Sequence, residues 1–341
     1  MLIDWVTARI PLELLSPESR EKALLLGDRI ARYCPVTGNV RYETSAWESI
    51  RSDSHQISVK VGASGFSIMG SPARVTGDGD AVFGSGASAR LDLPACVDAM
   101  RVFVQAQTGI ALPADISLWI VTRVDVTGNL LLGSLEQVRD ALRILRDCEG
   151  GRYRVSQQAG DTVYWSHSSK MRSGKAYAKG PHLSYLMQTP KYTGRQYSSA
   201  DIEAASSLLR LELKLGREFF SRTDWQQMTP DNLTAQWQDY FSRMIGDSEV
   251  KTDTDLKARI LAAAETEGRG KAAYGCWLLI QSEGWERARE SFNKATWYRH
   301  LKVLRASGLG DADISAGRVV PLRRRIFEAR LVTNWRDLRV A

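Results

Sequence analysis

The chain has 341 residues, 43% of them apolar and 25% charged, with 46 Lys plus Arg against 39 Asp plus Glu and a net charge of +7. This length predicts about two domains, each able to bury its own core, and the composition excludes a disordered or fibrous chain. No apolar run approaches the roughly 20 residues that cross a bilayer, and the opening MLIDWVTARIP carries Asp4 and Arg9 where a secretion signal has its apolar stretch, so a cytoplasmic protein is expected. Cys34, Cys96, Cys148 and Cys276 are too widely spaced for a zinc ribbon or a disulfide framework, and predict reduced thiols.

In chain order, IDWVTARIPL reads as a strand, and SPESREKALLLGDRIARY as a helix capped by Ser16 with Pro17 in its first turn. GNVRYET, HQISVKVGA and GFSIMGS read as strands of a meander, followed by a Gly-rich loop over residues 71–88. ACVDAMRVFVQAQTGI is a helix stopped by Gly109, SLWIVTRVDVTGNL a strand, and LEQVRDALRILRDCEGG a second helix. RYRVSQ, DTVYWS and GKAYAKG then read as three strands, and residues 199–207 begin a helix that leads into SLLRLELKLGREFF. Strands in runs broken by helices predict an α+β domain on an antiparallel sheet, not a doubly wound parallel one. A GxxxxGK[ST] phosphate loop is absent, and no GxGxxG joins a strand to a helix, which argues against ATPase and dinucleotide chemistry.

Beyond about residue 222 the pattern turns helical: LTAQWQDYFSRMIG, DLKARILAAAE, KAAYGCWLLIQSEG and SFNKATWYRHLKVLRASGLG. The last two read as helix, short Gly-containing turn, helix, with Ser291 capping the second. Lys294, Thr296, Tyr298, Arg299, His300 and Lys302 are its expected exposed residues, on either a helix-turn-helix module or the basic face of an ordinary bundle.

Charge is unevenly placed. Eight basic residues between Arg152 and Ser199 face only Asp161, and fourteen from Lys271 onward face seven acidic ones, so each segment carries +7 and the remainder −7. Two basic segments in an otherwise acidic chain point to two contact surfaces for a polyanion, nucleic acid first.

Alternation along a strand groups Lys175, Tyr177 and Lys179 on one face of GKAYAKG, Arg123 and Asp125 on one face of IVTRVDVTG, and Arg210, Glu212 and Lys214 on one face of LLRLELKLG. Each strand turns its opposite face to apolar or small residues, so the three predict one sheet backed by helices, with an open face bearing a phenol, two carboxylates and several cations. Singly, such charges are ordinary cross-strand pairs and such a tyrosine a packing residue. Together they match one chemistry. Carboxylates hold Mg²⁺ or Mn²⁺ to polarise a phosphodiester, a phenolate attacks phosphorus, and Lys or Arg neutralises the developing charge.

SPAR (71–74), AVFG (81–84), TRVD (122–125), KAYAKG (175–180), RLELKL (210–215), WYRHLKVLRASGL (297–309) and NWRD (334–337) occur in an order that resembles the successive blocks of the filamentous-phage replication initiators, the phage/plasmid replication gene II/X family. The resemblance implies a rolling-circle initiator of HUH-like fold, which binds double-stranded origin DNA and nicks the plus strand through a 5′-phosphotyrosyl intermediate. The 3′-OH then primes synthesis by the host helicase and polymerase, and the displaced single strand is rejoined into a circle. On this reading Tyr177 is the nucleophile, Lys179 its cationic partner, and Asp125 and Glu212 bind metal, while Lys175, Arg123, Arg210 and Lys214 meet DNA, as do Lys294, Tyr298, Arg299 and Lys302 further on. Two departures stand out. Gly79-Asp80-Ala81 replaces the Gly-His-Asn of many relatives, leaving Asp80 as a candidate hard-cation ligand. Tyr164 occupies the position at which related plasmid initiators place their tyrosine, and is the alternative nucleophile. His167 and His182, near these tyrosines, are candidates for ligand or proton shuttle, or for plain surface roles. The expected division is a nicking domain over 1–225 and a helical DNA-binding domain over 226–341. The competing readings are a non-catalytic replication regulator or repressor, and a metal-dependent nuclease in which water attacks.

Overall fold

The computed structural model describes residues 1–26, 29–51, 56–146, 155, 161–189, 192, 194–245, 253–317 and 330–339. The expected strand RYRVSQ lies outside these residues except for Val155, which bridges to Trp165.

The strands are β1 (Leu2–Ile10), β2 (Arg29–Tyr33), β3 (Val40–Ser45), β4 (Glu48–Arg51), β5 (Gln56–Gly62), β6 (Gly65–Gly70), β7 (Ile120–Leu131), β8 (Thr162–Trp165), β9 (Arg172–Ala178), β10 (Leu208–Leu215) and β11 (Leu331–Val332). All but β2 and β3 form one sheet in the order β4-β5-β6-β1-β7-β10-β9-β8, with β11 pairing to β7 just beyond the end of β1. Each of its pairings is antiparallel, as expected. The neighbours β1, β7 and β10 come from distant parts of the chain, so the middle of the sheet, where the charged strands lie, is built from long-range pairings.

One face is apolar. Leu209, Leu211, Leu213 and Leu215 of β10 are fully buried on it, each contributing roughly 1.5–3 kcal/mol, beside Val124 and Val126 of β7. Helices α1 (Pro17–Leu24) and α2 (Gly86–Ala89) precede α3 (Leu93–Thr108), and α3 and α4 (Leu135–Arg146) cover this face. Ser16 caps α1 by accepting from the Ser19 N–H at 3.2 Å, and Gly109 ends α3 in the left-handed region with φ 66°. Helices α5 (Lys179–Gln188), α6 (Ser199–Ser206) and α7 (Arg217–Phe220) flank β10 in sequence, and α8 (Pro230–Ile245) follows. Although α8 lies beyond residue 225, it brings Leu233, Trp237 and Phe241 into the sheet's own core. Gly128 and Gly174 permit this approach, because a Cβ at either would stand 2.8 Å from Trp237 or 2.6 Å from Tyr240.

A separate apolar cluster of Leu256, Ile260, Trp277, Ile280, Trp297 and Leu301, among others, joins α9 (Asp253–Ala262), α10 (Glu267–Glu283), α11 (Trp285–Glu290), α12 (Lys294–Ala306) and α13 (Asp311–Ala316). The chain then returns to the sheet as β11 and α14 (Trp335–Arg339).

Three local readings change. The first helix ends at Leu24, and Arg29–Tyr33 is instead β2, because pairing with β3 supplies backbone partners that an isolated helix end lacks. The strand GKAYAKG ends at Ala178, and Lys179 opens α5. The turn before α12 contains no glycine, and its cap is Asn293, whose Oδ1 accepts from the Thr296 N–H at 2.9 Å, while Ser291 closes α11.

Candidate active site on the open face of the sheet

The ladder sets the site. Tyr177 on β9 stands opposite Arg210 on β10, Lys175 opposite Glu212, and Tyr164 on β8 opposite Lys175. On the other side of β10, Lys214 faces Asp125 and Arg210 faces Asn129. Because side chains in register share a face, both tyrosines and the predicted charges of β7, β9 and β10 lie on one surface.

Tyr177 is 2% exposed, and its hydroxyl donates to Glu212 Oε1 at 2.5 Å. Lys175 Nζ lies 4.0 Å from the Tyr177 ring centre, 5.9 Å from that of Tyr164 and 3.5 Å from Glu212 Oε2, so it stands between the two tyrosines and tied to the carboxylate. Burial, followed by the charge of Glu212, pushes the Tyr177 phenol well above the usual tyrosine range, so the resting hydroxyl keeps its proton and offers it to Glu212. Lys179 is 1% exposed, with its ammonium 5.9 Å from the Tyr177 ring centre; burial, then Arg210, pull it well below the usual lysine range. It therefore joins the cluster from the first turn of a helix and not from a strand. His182, one turn along α5, packs its ring 4.7 Å from that of Tyr177. Burial first, then Lys179 and Lys175, lower its pKa to about 2, which keeps the imidazole neutral. His167 is an exposed loop residue whose ring meets Tyr164 edge-on at 5.4 Å.

Asp125 is 7% exposed and closed by a bidentate pair, with Arg123 Nε at 2.8 Å from Oδ1 and Nη2 at 2.6 Å from Oδ2. Burial raises its pKa to about 6 against the opposing pull of Arg123. Lys214 Nζ donates to the His167 carbonyl at 3.3 Å. Among the described residues no three His, Cys, Asp or Glu side chains converge as a cation site. The donor chemistry explains this: Glu212 is held by Tyr177 and Lys175 and Asp125 by Arg123, so the carboxylates as arranged do not fit Mg²⁺ or Mn²⁺.

Asp80 is placed elsewhere. Its Oδ1 accepts from the Val82 N–H at 2.9 Å and the Tyr197 hydroxyl at 3.0 Å, and its Oδ2 from Trp335 Nε1 at 2.8 Å, so Oδ2 fastens the Gly-rich loop to α14 while Oδ1 ties it to Tyr197 ahead of α6. Arg210, expected to meet DNA, is 0% exposed. Its guanidinium donates to Asn129 Oδ1 at 2.8 Å, to the Ala81 carbonyl at 2.9 Å and to the Val82 carbonyl, which pins the same loop over the sheet. The face expected to be open is thus roofed at this end by the loop, α5, α6 and α14, which share an apolar cluster including Phe83, Leu183, Tyr197 and Leu338.

One site residue escaped sequence reasoning. Asp4 sits at a bulge in β1, between Ile3 paired to Val126 and Trp5 paired to Asp125, with Oδ2 3.9 Å from Arg210 Nη1. The extra residue re-aims the carboxylate into the cluster. The available signal was a break in alternation: Ile3 is apolar at an odd position, whereas Val6, Ala8 and Ile10 continue at even ones.

On α12, Lys294, Tyr298, Arg299 and Lys302 are all exposed along one side. His300, expected beside them, is buried, its ring 5.1 Å from that of Phe292.

A phenol, carboxylates and cations thus share one face of the antiparallel sheet of an α+β protein, and α12 carries a second row of exposed basic residues. The chain belongs to the family of replication-associated proteins of the phage gene II type, whose N-terminal model matches residues 2–239 and so bears out the resemblance read from the motifs. Among solved structures, the rolling circle replication initiator protein from Geobacillus stearothermophilus is similar over 70% of this chain and 83% of its own, at 11% identity and a TM-score of 0.29. A search of curated proteins returns no match. Among the described residues no helix is long and apolar enough to cross a membrane.

Proposed function

We propose that the protein is a rolling-circle replication initiator that nicks and rejoins one strand of origin DNA through Tyr177. The observation that carries this reading is the 2.5 Å hydrogen bond from the Tyr177 hydroxyl to Glu212, with Lys175 packed on the same ring. Tyr177 passes its proton to Glu212 as its oxygen attacks phosphorus. The bond from phosphorus to the 3′ oxygen breaks, that oxygen takes a proton from water, and the 5′ end stays on the phenol as a phosphodiester. Lys175 and Lys179 offset the negative charge that builds on the phosphoryl oxygens. Rejoining reverses these steps, and because the phosphotyrosyl bond conserves the phosphodiester, no ATP is consumed. The 3′-OH is left for host helicase and polymerase, and the exposed face of α12 binds the duplex origin.

Tyr164 supports a second reading, since it shares the face and Lys175 with Tyr177 but is only half-buried and so more open to a strand. Incubation with single-stranded origin DNA and a denaturing gel decide between them. Covalent adduct that survives Tyr164→Phe and vanishes in Tyr177→Phe is expected. Loss in Tyr164→Phe alone assigns the nucleophile to Tyr164, cleavage without adduct assigns it to water, and neither cleavage nor adduct favours a regulator.

A further inference from the structure

Nine of the sixteen large apolar side chains exposed among the described residues fall between Leu14 and Trp47, about a tenth of the chain, so they form a patch and not the usual scatter. The patch has two parts. The first is an arm: among the described strands β2 and β3 pair only with each other, outside the main sheet, and a two-stranded ribbon by itself is marginally stable in water. In register, Arg32 stands opposite Tyr42 and Tyr33 opposite Val40, so one face carries Ile30, Arg32 and Tyr42 and the other Tyr33 and Val40. All five are exposed, and Val36 at the tip is 89% exposed. The second part is a cleft of about 570 Å³ beside α1, with Leu15, Leu24 and Leu25 as its apolar lining and Glu13, Glu21 and Arg20 as its charged one. Helix α1 buries only Ser19 and Ala23, one turn apart, and Leu25 just past its end is 82% exposed. A neighbouring hollow, whose lining includes Leu24, Leu26, Arg29 and Glu43, joins the cleft to the base of the arm.

We infer that a second copy of this chain covers the patch, with the arm of each copy lying in the α1 cleft of the other. Charge selects this occupant. Arg29 and Glu43 neutralise each other at 2.8 Å across the arm, which leaves Arg32 and Arg41 ion-paired to no described residue, Arg41 donating only to the Cys34 sulfur at 3.1 Å. On the cleft side Lys22 holds Glu18 at 2.7 Å, whereas Glu13 and Glu21 are ion-paired to no described residue. The arm therefore brings two unpaired cations among apolar and aromatic side chains, and the cleft presents two unpaired carboxylates around leucines. Nucleic acid would meet the arginines but also the carboxylates beside them, and protein–DNA interfaces are far more positively charged than this surface. Arm and cleft are continuous, so a two-fold axis engages both arms and both clefts at once and closes the pair. Burial of the apolar residues supplies affinity and the ion pairs fix the fit, independently of any chemistry at Tyr177.

The test is the mass of the full chain in solution, without DNA, by sedimentation equilibrium. A particle of twice 38.0 kDa is expected above about 10 μM, since interfaces of standard size bind at micromolar concentration or tighter. Arg32→Glu with Arg41→Glu makes the arm acidic, and Glu13→Arg with Glu21→Arg makes the cleft basic. Each pair of substitutions is expected to raise the dissociation constant of the dimer at least about tenfold, because like charges then meet. Mixing the two variants in equal amounts is expected to restore a dimer, since each arm then faces a cleft of opposite sign, and reassociation also shows that both variants are folded. The neutral pair Ile30→Ser and Tyr42→Ser, expected to weaken the dimer with an unchanged circular dichroism spectrum, tests the apolar part separately. A monomer at every concentration, a dimer indifferent to these substitutions, or a mixture of the charge-reversed variants that does not reassociate each overturns the inference. Loss of duplex affinity in the arm variant with its mass unchanged assigns the arm to DNA and overturns it as well.

Discussion

Tyr177 and Tyr298 keep similar company in sequence and opposite company in space. Around Tyr177, Lys175, Lys179 and Arg210 meet Asp4 and Glu212, and the phenol is 2% exposed. Around Tyr298, which is 51% exposed, Lys294, Arg299 and Lys302 line a helix with no acidic residue. Buried charges must be paired, so the first cluster is held to one geometry and suits bond making, whereas the second remains solvated and suits contact with phosphate. Residue type alone does not separate the two; the supply of nearby carboxylates does.

The largest expected effect tests the rigid cluster. Glu212→Gln removes the proton acceptor but keeps the shape, and is expected to slow adduct formation about 10²–10⁴-fold while duplex binding stays within twofold. Equal rates would make Glu212 a packing partner only. Arg210→Ala leaves Asp4, Asn129 and the loop carbonyls without their buried partner and is expected to cost about 3–5 kcal/mol by urea unfolding. A loss below about 1 kcal/mol, the scale of exposed pairs, would mean that water reaches the guanidinium.

On α12 the prediction is electrostatic and milder. Lys294→Ala with Arg299→Ala should lower the duplex salt slope by about 1.8, near 0.9 per contact, without changing cleavage of a pre-formed single strand. If cleavage falls with binding, the two surfaces are not independent.

The last effect is absent near neutral pH and confined to acid. His182 has its folded pKa lowered from 6.5 to about 2, so the folded state takes up fewer protons than the unfolded one. Its contribution to stability is therefore present above pH 6.5 and lost as pH falls toward 2. His182→Gln should flatten stability against pH over that range and leave it unchanged near pH 8; parallel curves would mean that His182 titrates freely.

Much of this was legible in the sequence. Period-two alternation placed Asp125, Tyr177 and Glu212 on one face of three strands that do pair, because the apolar half of each strand fixes which way the other half points. Other features were not legible, because they depend on long-range contacts. Arg210 follows the same alternation as Glu212, yet the Gly-rich loop closes over it and turns a surface cation into a buried anchor. Asp80 reads as a ligand until Trp335, 255 positions away, returns to occupy its oxygen. Asp4 needed a bulge, and β2 needed a partner strand, neither of which local propensity specifies.

The central claim is that the phenol hydrogen-bonded to Glu212 becomes the phosphoryl carrier. Its most direct test is to trap the covalent complex on a single-stranded origin oligonucleotide, digest both components, and locate the nucleotide-bearing peptide by mass spectrometry. The added mass is predicted on Tyr177; a nucleotide on Tyr164, or on no tyrosine, would contradict the claim.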